Sequence, residues 1–121
     1  MKTMLTGMAL AALLAVPAAA QEATEAGRGG ELRVLDKLTG EVTDLTLTAG
    51  QESKVGRVDI QLSECRFPAG DPAGDAFAFL TVHEIDVDDP IYEGWMIATA
   101  PALSAMDHPR YDVWVLRCTT A

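Results

Sequence analysis

Histidine and cysteine each occur only twice in this chain, and nine basic residues stand against eighteen acidic ones. Each shortage excludes something. Two histidines and two cysteines are too few for a structural zinc site once the cysteines are oxidised. The deficit of lysine and arginine opposes binding to nucleic acid or anionic lipid headgroups by charge attraction. A net charge of −9 favours solubility or a basic partner surface instead. There is no G-x-S-x-G elbow and no cofactor motif. The acidic run Asp86, Asp88, Asp89 and Glu93 lacks the fixed glycine and distal glutamate of an EF-hand. It reads as a solvated turn.

The apolar stretches are short as well. Met4 to Val16 is free of charge but spans 13 residues and ends at Pro17, whereas a membrane-spanning helix needs about 20. Lys2 precedes that run, the small-residue site Ala18-Ala19-Ala20 follows it, and polar chain resumes at Gln21. That order is the signal-peptide pattern. We therefore expect residues 1–20 to be a cleaved leader, with the cut between Ala20 and Gln21. The mature chain is then periplasmic, without membrane insertion, and about 100 residues long, one ordinary domain. The alternative is an uncleaved N-terminal anchor. No twin arginine marks a folded-export route.

Export gives the two cysteines meaning. In an oxidising compartment an even count implies a disulfide, and Cys65–Cys118 is the one intramolecular pairing. The chain-entropy estimate for such a loop is about 4 kcal/mol. Cys65 lies out of phase with Val58, Ile60 and Leu62, so a bulge or bend near Ser63-Glu64 must turn it inward. Cys118 is in phase with Trp114 and Leu116, which predicts a sulfur packed near an indole.

Residues 21–30 carry no large apolar side chain and read as a flexible arm. From Glu31 to the end the chain reads as a single β domain. Leu32–Asp36 is a strand candidate, and Thr43, Leu45 and Leu47 alternate along the next. Val58, Ile60 and Leu62 alternate with polar residues. Arg66–Asp75 holds two prolines and two glycines and reads as a loop. Ala76–Val87 is apolar on both faces at its start, as in a central strand. Trp95–Ala98 is a short strand, Pro101–Met106 suits one or two helical turns, and Tyr111, Val113 and Val115 share one face of the last strand. About seven short strands without a long helical period indicate an all-β fold, a small antiparallel sandwich or barrel.

Chemistry-bearing residues are sparse. His108 lies in a loop between Asp107 and Pro109, where function tends to collect. His83 sits mid-strand and reads as a packed histidine bonded to backbone. Trp95, Tyr111 and Trp114 divide between core and contact surface.

Leu35-Asp36-Lys37-Leu38-Thr39-Gly40, Gly56-Arg57, Cys65 and the long stretch from Gly94 to Cys118 (GWMIATAPALSAMDHPRYDVWVLRC) resemble the alphaproteobacterial family called domain of unknown function 2155. The resemblance covers residues 32–118. It implies small exported proteins and brings no catalytic residue with it. It also implies a gene neighbourhood near an accessory subunit of the respiratory NADH:ubiquinone oxidoreductase, an association without a mechanism.

The expectation is a non-catalytic structural or interaction domain that uses no cofactor. Trp95, Asp107, His108, Tyr111 and Trp114 are its candidate contact residues, and an inner-membrane complex is its partner. A small-ligand or carbohydrate-binding domain using Trp95 or Trp114 with a nearby carboxylate is the second expectation. A hydrolase using His108 and Asp107 is the third.

Overall fold

The computed structural model describes Gly7 and residues 23–121. The expected leader and its junction at Ala20–Gln21 therefore lie outside the described residues, Gly7 apart. Eight strands follow in chain order: β1 (Thr24–Ala26), β2 (Gly29–Asp36), β3 (Val42–Thr48), β4 (Glu52–Val55), β5 (Val58–Pro68), β6 (Phe77–Glu84), β7 (Tyr92–Ile97) and β8 (Tyr111–Thr119). A single 3-10 turn, Pro101–Ser104, stands between β7 and β8 with proline at its first position, where the missing N–H costs nothing.

All pairings are antiparallel and form two sheets. One runs β1-β5-β6-β7, with β4 also on β5; the other runs β3-β2-β8. The inward residues are those that alternation selects. Leu32, Val34, Leu47, Val113 and Val115 from the small sheet meet Val58, Ile60, Leu62, Leu80 and Val82 from the large one in a single core. The all-β antiparallel expectation holds, with one strand more than the seven expected.

β1, which like β4 was not among the named strand candidates, corrects the N-terminal reading. From Thr24 onward the expected flexible arm is part of the sheets. Thr24, Glu25 and Ala26 pair with Pro68, Phe67 and Arg66, and Gly29-Gly30 open β2 as buried residues. Partners far along the chain supply the order that the segment's own composition cannot. The Arg66 guanidinium donates to the Thr24 hydroxyl at 2.8 Å and to its carbonyl at 3.1 Å. The same pairing corrects the loop expected at Arg66, because β5 continues through Pro68 with Phe67 buried. Proline is tolerated there because it ends the strand.

The chain changes sheet between β1 and β2 beside the cysteines. The Gly27 N–H donates to the Cys65 carbonyl at 2.7 Å, and that of Arg28 to the Thr119 carbonyl at 2.8 Å. Cys65 and Cys118 are bridged, their Cα atoms 5.6 Å apart. The link ties the large sheet to the small one across the core. A Cβ on Gly30 would sit 3.2 Å from the Cys65 sulfur, so glycine makes room for the bridge.

Two β-bulges aim these sulfurs. On β5 the register jumps from Leu62↔Leu80 to Glu64↔Phe79. Ser63 is thus the extra residue, and Cys65 returns to the core face as its odd phase requires. On β8 the register jumps from Leu32↔Val115 to Glu31↔Arg117, leaving Leu116 as the extra residue. Cys118 therefore joins Val113 and Val115 on the core face. This corrects the expectation that it shares a face with Trp114. Deleting Ser63 leaves a regular ladder with Cys65 still opposite Ala78, so the deletion variant is expected to form the disulfide. Thiol titration of the purified variant checks this, and two free thiols would count against the bulge assignment.

Candidate functional site

The stretches that make the sequence distinctive meet at one corner of the fold. Asp36 ends β2, Gly56-Arg57 turns from β4 to β5, and His108 to Tyr111 lead into β8. The Asp36 carboxylate caps its own turn, accepting the N–H of Leu38 at 2.9 Å and of Thr39 at 3.3 Å, the pattern of an Asx turn. It also accepts from the Arg110 guanidinium at 2.9 and 3.2 Å. These Arg110 hydrogen bonds, with the turn's backbone N–H groups behind them, hold the Asp36 carboxyl down at about 2. Arg110 is correspondingly raised by Asp36, and its guanidinium lies 5.1 Å above the Tyr111 ring, within cation–π range.

Tyr111 is the centre of this corner. Its ring is buried and its hydroxyl accepts the Arg57 N–H at 3.1 Å. Gly56 lies against that hydroxyl with φ +55°, and a Cβ there would come within 2.5 Å of it. Only glycine meets both demands.

His108 is held from both sides. Its Nδ1 accepts the backbone N–H of Arg110 at 3.0 Å and of Tyr111 at 3.1 Å, and its Nε2 lies 2.7 Å from Glu84 Oε1. An accepting Nδ1 places the ring proton on Nε2, which donates to Glu84. The Lys37 ammonium donates to the His108 carbonyl at 2.6 Å. The carboxylate facing this histidine is therefore Glu84, from β6, and not the neighbouring Asp107 of the expected hydrolase pair. Asp107 is exposed.

The structure predicts an acid-dependent stability for this corner. A carboxyl depressed to about 2 in the fold and near 3.9 in the unfolded chain stabilises above pH ~4. That contribution is lost as pH falls through about 2. The stability difference between the wild type and Asp36→Asn should therefore be constant at neutral pH and shrink between about pH 4 and 2. Denaturant midpoints measured across that range test it, and a pH-independent gap would refute the assignment.

The other candidate residues lie elsewhere. Trp95, on β7, is 40% exposed and stands edge-on to Phe79, ring centroids 5.4 Å apart. The Tyr92 hydroxyl fixes the backbone there by donating to the Trp95 carbonyl at 2.7 Å. Trp114 is half-buried on the outward face of β8. With Asp112, Val113, Pro101, Ala102 and Ala105 it lines a depression of about 310 Å³. His83 was expected to be a packed, backbone-bonded histidine. It is instead half-buried on the outward face of β6, opposite Asp59. With Asp59, Lys54 and the β6–β7 turn it lines a groove of about 340 Å³. Sequence reasoning passed over Asp59, whose Oδ1 is buried yet takes no hydrogen bond from any described residue. The signal was present as an acid on the polar face of an alternating strand, but only the pairing with β4 and β6 covers it. Among the described residues no three His, Cys, Asp or Glu side chains gather as metal ligands.

A disulfide-tied, two-sheet β domain with a braced corner is the class of protein these features define. Residues 30–118 match the family described as uncharacterized protein conserved in bacteria (DUF2155), and the chain belongs to that family. An uncharacterized protein of Rickettsia prowazekii (strain Madrid E) is 29% identical over 92 residues, covering 74% of this chain and 59% of the relative. The chain thus matches about three-fifths of the length of that curated relative. No solved structure matches.

Proposed function

We propose that this chain is a periplasmic, non-catalytic interaction domain that binds a protein at the inner membrane. The observation that carries this reading is how the corner spends its reactive groups. Both ring nitrogens of His108 are engaged by backbone N–H groups and Glu84. The Tyr111 hydroxyl and the Asp36 and Arg110 side chains likewise brace the turn. Groups so committed serve architecture better than acid–base chemistry, which needs a poised, accessible partner. The disulfide fits an oxidising compartment, and the leader-like sequence supplies the route. The respiratory complex suggested by the family's gene neighbourhood is the first partner to examine.

A tagged full-length copy recovered from gently solubilised native membranes tests the reading. Co-purification of a defined partner is the expected result, and recovery only as a free monomer would overturn it. The Trp114 depression favours a second reading. Its volume falls at the lower end of small-ligand sites, and it places Asp112 beside an indole, as a carbohydrate-binding site would.

A further inference from the structure

We propose that the outward face of the five-stranded sheet docks a basic, extended segment of a partner polypeptide. Phe79 and Trp95 would take an apolar side chain of that segment, and Asp59 a lysine or arginine. The inference rests on the interaction reading above and names the surface and the chemistry of the partner.

Alternation and register define the face. Along β6 the core takes Ala78, Leu80 and Val82, and the outward side carries Phe77, Phe79, Thr81 and His83. Phe77 and Phe79 are half-buried on this face, and Trp95 beside Phe79 is exposed, which makes an apolar patch of the kind that marks an interaction site. Trp95 lies directly across from Phe79 on β7, and the two rings pack edge to face. Aromatic residues of this kind supply the anchors of protein interfaces.

Charge on the same face sets the sign of the partner. Glu64 stands across from Phe79 on β5, and Glu93 across from Thr81 on β7. Arg66 donates to Thr24 and also reaches Glu64 at 3.8 Å, so among the described residues Glu93 and Asp59 are the acids of this face without an ion-pair partner. Further along the sheet, Asp59 of β5 lies between His83 of β6 and Lys54 of β4, its partners on either side. Among the described residues its Oδ1 is buried and receives no hydrogen bond, and Lys54 makes no ion pair with it. An unsatisfied buried carboxylate oxygen is an acceptor waiting for a donor. A guanidinium or ammonium group supplies several.

Spacing argues for a chain segment rather than a small cation. Phe79 and His83 are four residues apart on one strand, roughly 13 Å at the rise of a β-strand. An extended peptide presents residues i and i+4 on the same side at that spacing. A second copy of this chain is disfavoured as occupant by its own net charge of −9.

The test is selection of a displayed random-peptide library on the oxidised protein, followed by affinity measurement on Trp95→Ala and Asp59→Asn. Enriched peptides should carry an apolar residue and a lysine or arginine four positions apart. They should bind each variant about tenfold more weakly, the effect expected for anchor residues, while a Leu38→Ala control, at an exposed apolar side chain in the β2–β3 turn, binds unchanged. Both test variants should keep the wild-type melting temperature within a few degrees, and Trp95→Phe should recover part of the binding. Selection of acidic or uncharged peptides, failure to select any, or indifference to both variants would overturn the docking face. The result is separable from the functional reading. A membrane partner still captured by Trp95→Ala and Asp59→Asn removes this surface but leaves the interaction reading standing.

Discussion

Replacing Cys65 and Cys118 together with alanine is expected to lower the unfolding free energy by about 2–5 kcal/mol. For a chain this small the total is only about 5–15 kcal/mol, so the variant should approach the limit of folding at 37 °C. Two effects act in the same direction. The bridge spans a sequence separation of 53 residues, so its loss releases a long loop in the unfolded chain. It also joins β5 of one sheet to β8 of the other, at the point where β1 passes into β2. That crossing has few other covalent or apolar ties, since Gly27, Gly29 and Gly30 bring no side chains to it. Chemical denaturation of the double variant measures the effect. The midpoint should fall sharply, whereas an unchanged midpoint would mean that the bridge is incidental to the fold. Alanine is preferred to serine because both positions are buried, Cys65 fully and Cys118 at 6% exposure, and a hydroxyl would add its own desolvation cost.

Tyr111→Ala is expected to cost about 3–5 kcal/mol, the range for removing a buried aromatic side chain. The loss has identifiable parts. The ring is packed in the core, carries Arg110 on one face and lies 5.7 Å from the His108 ring. Its hydroxyl closes the Gly56-Arg57 turn. Tyr111→Phe isolates that last part and should cost only about 1 kcal/mol, a typical net hydrogen bond. The ratio of the two losses, read from denaturant midpoints, distinguishes a packing hub from a hydrogen-bond hub. Equal losses would contradict the structure.

What could be seen in the sequence was what repeats with a strand's own period. Leu45 and Leu47, Val58 to Leu62, and Tyr111 to Val115 announce their faces without knowledge of any partner, because side-chain period alone fixes them. The phase error at Cys65 was visible for the same reason, and the bulge at Ser63 resolves it. The equivalent device at Leu116 leaves no trace in the sequence. An extra leucine in an apolar strand looks like any other, so Cys118 was assigned to the wrong face. β1 was hidden because Thr24, Glu25 and Ala26 have no apolar pattern. They are ordered by the open edge of β5 and by Arg66, both at least 40 residues away. In the same way His108 stood out as a loop histidine, yet its carboxylate partner comes from β6. Sequence proximity pointed to Asp107, and only the topology brings Glu84 to the ring. Trp95, Tyr111 and Trp114 were expected to divide between core and surface, and Tyr111 is the one that is buried. The two tryptophans both face outward, because the core sides of β7 and β8 are filled by Met96, Val113 and Val115.

Two surfaces are thus distinct: a corner that holds the fold and a sheet face proposed to meet a partner. The measurement that addresses this division most directly is a paired one, made on Tyr111→Phe and Trp95→Ala. Each variant is assayed for melting temperature and for the partner it retains when purified from solubilised membranes. Tyr111→Phe should melt several degrees lower, as a loss of about 1 kcal/mol implies for a domain of this size, and should keep the partner. Trp95→Ala should melt near the wild type and lose it. A Tyr111→Phe protein of unchanged stability that no longer captures the partner, or a Trp95→Ala protein that still does, would contradict the account.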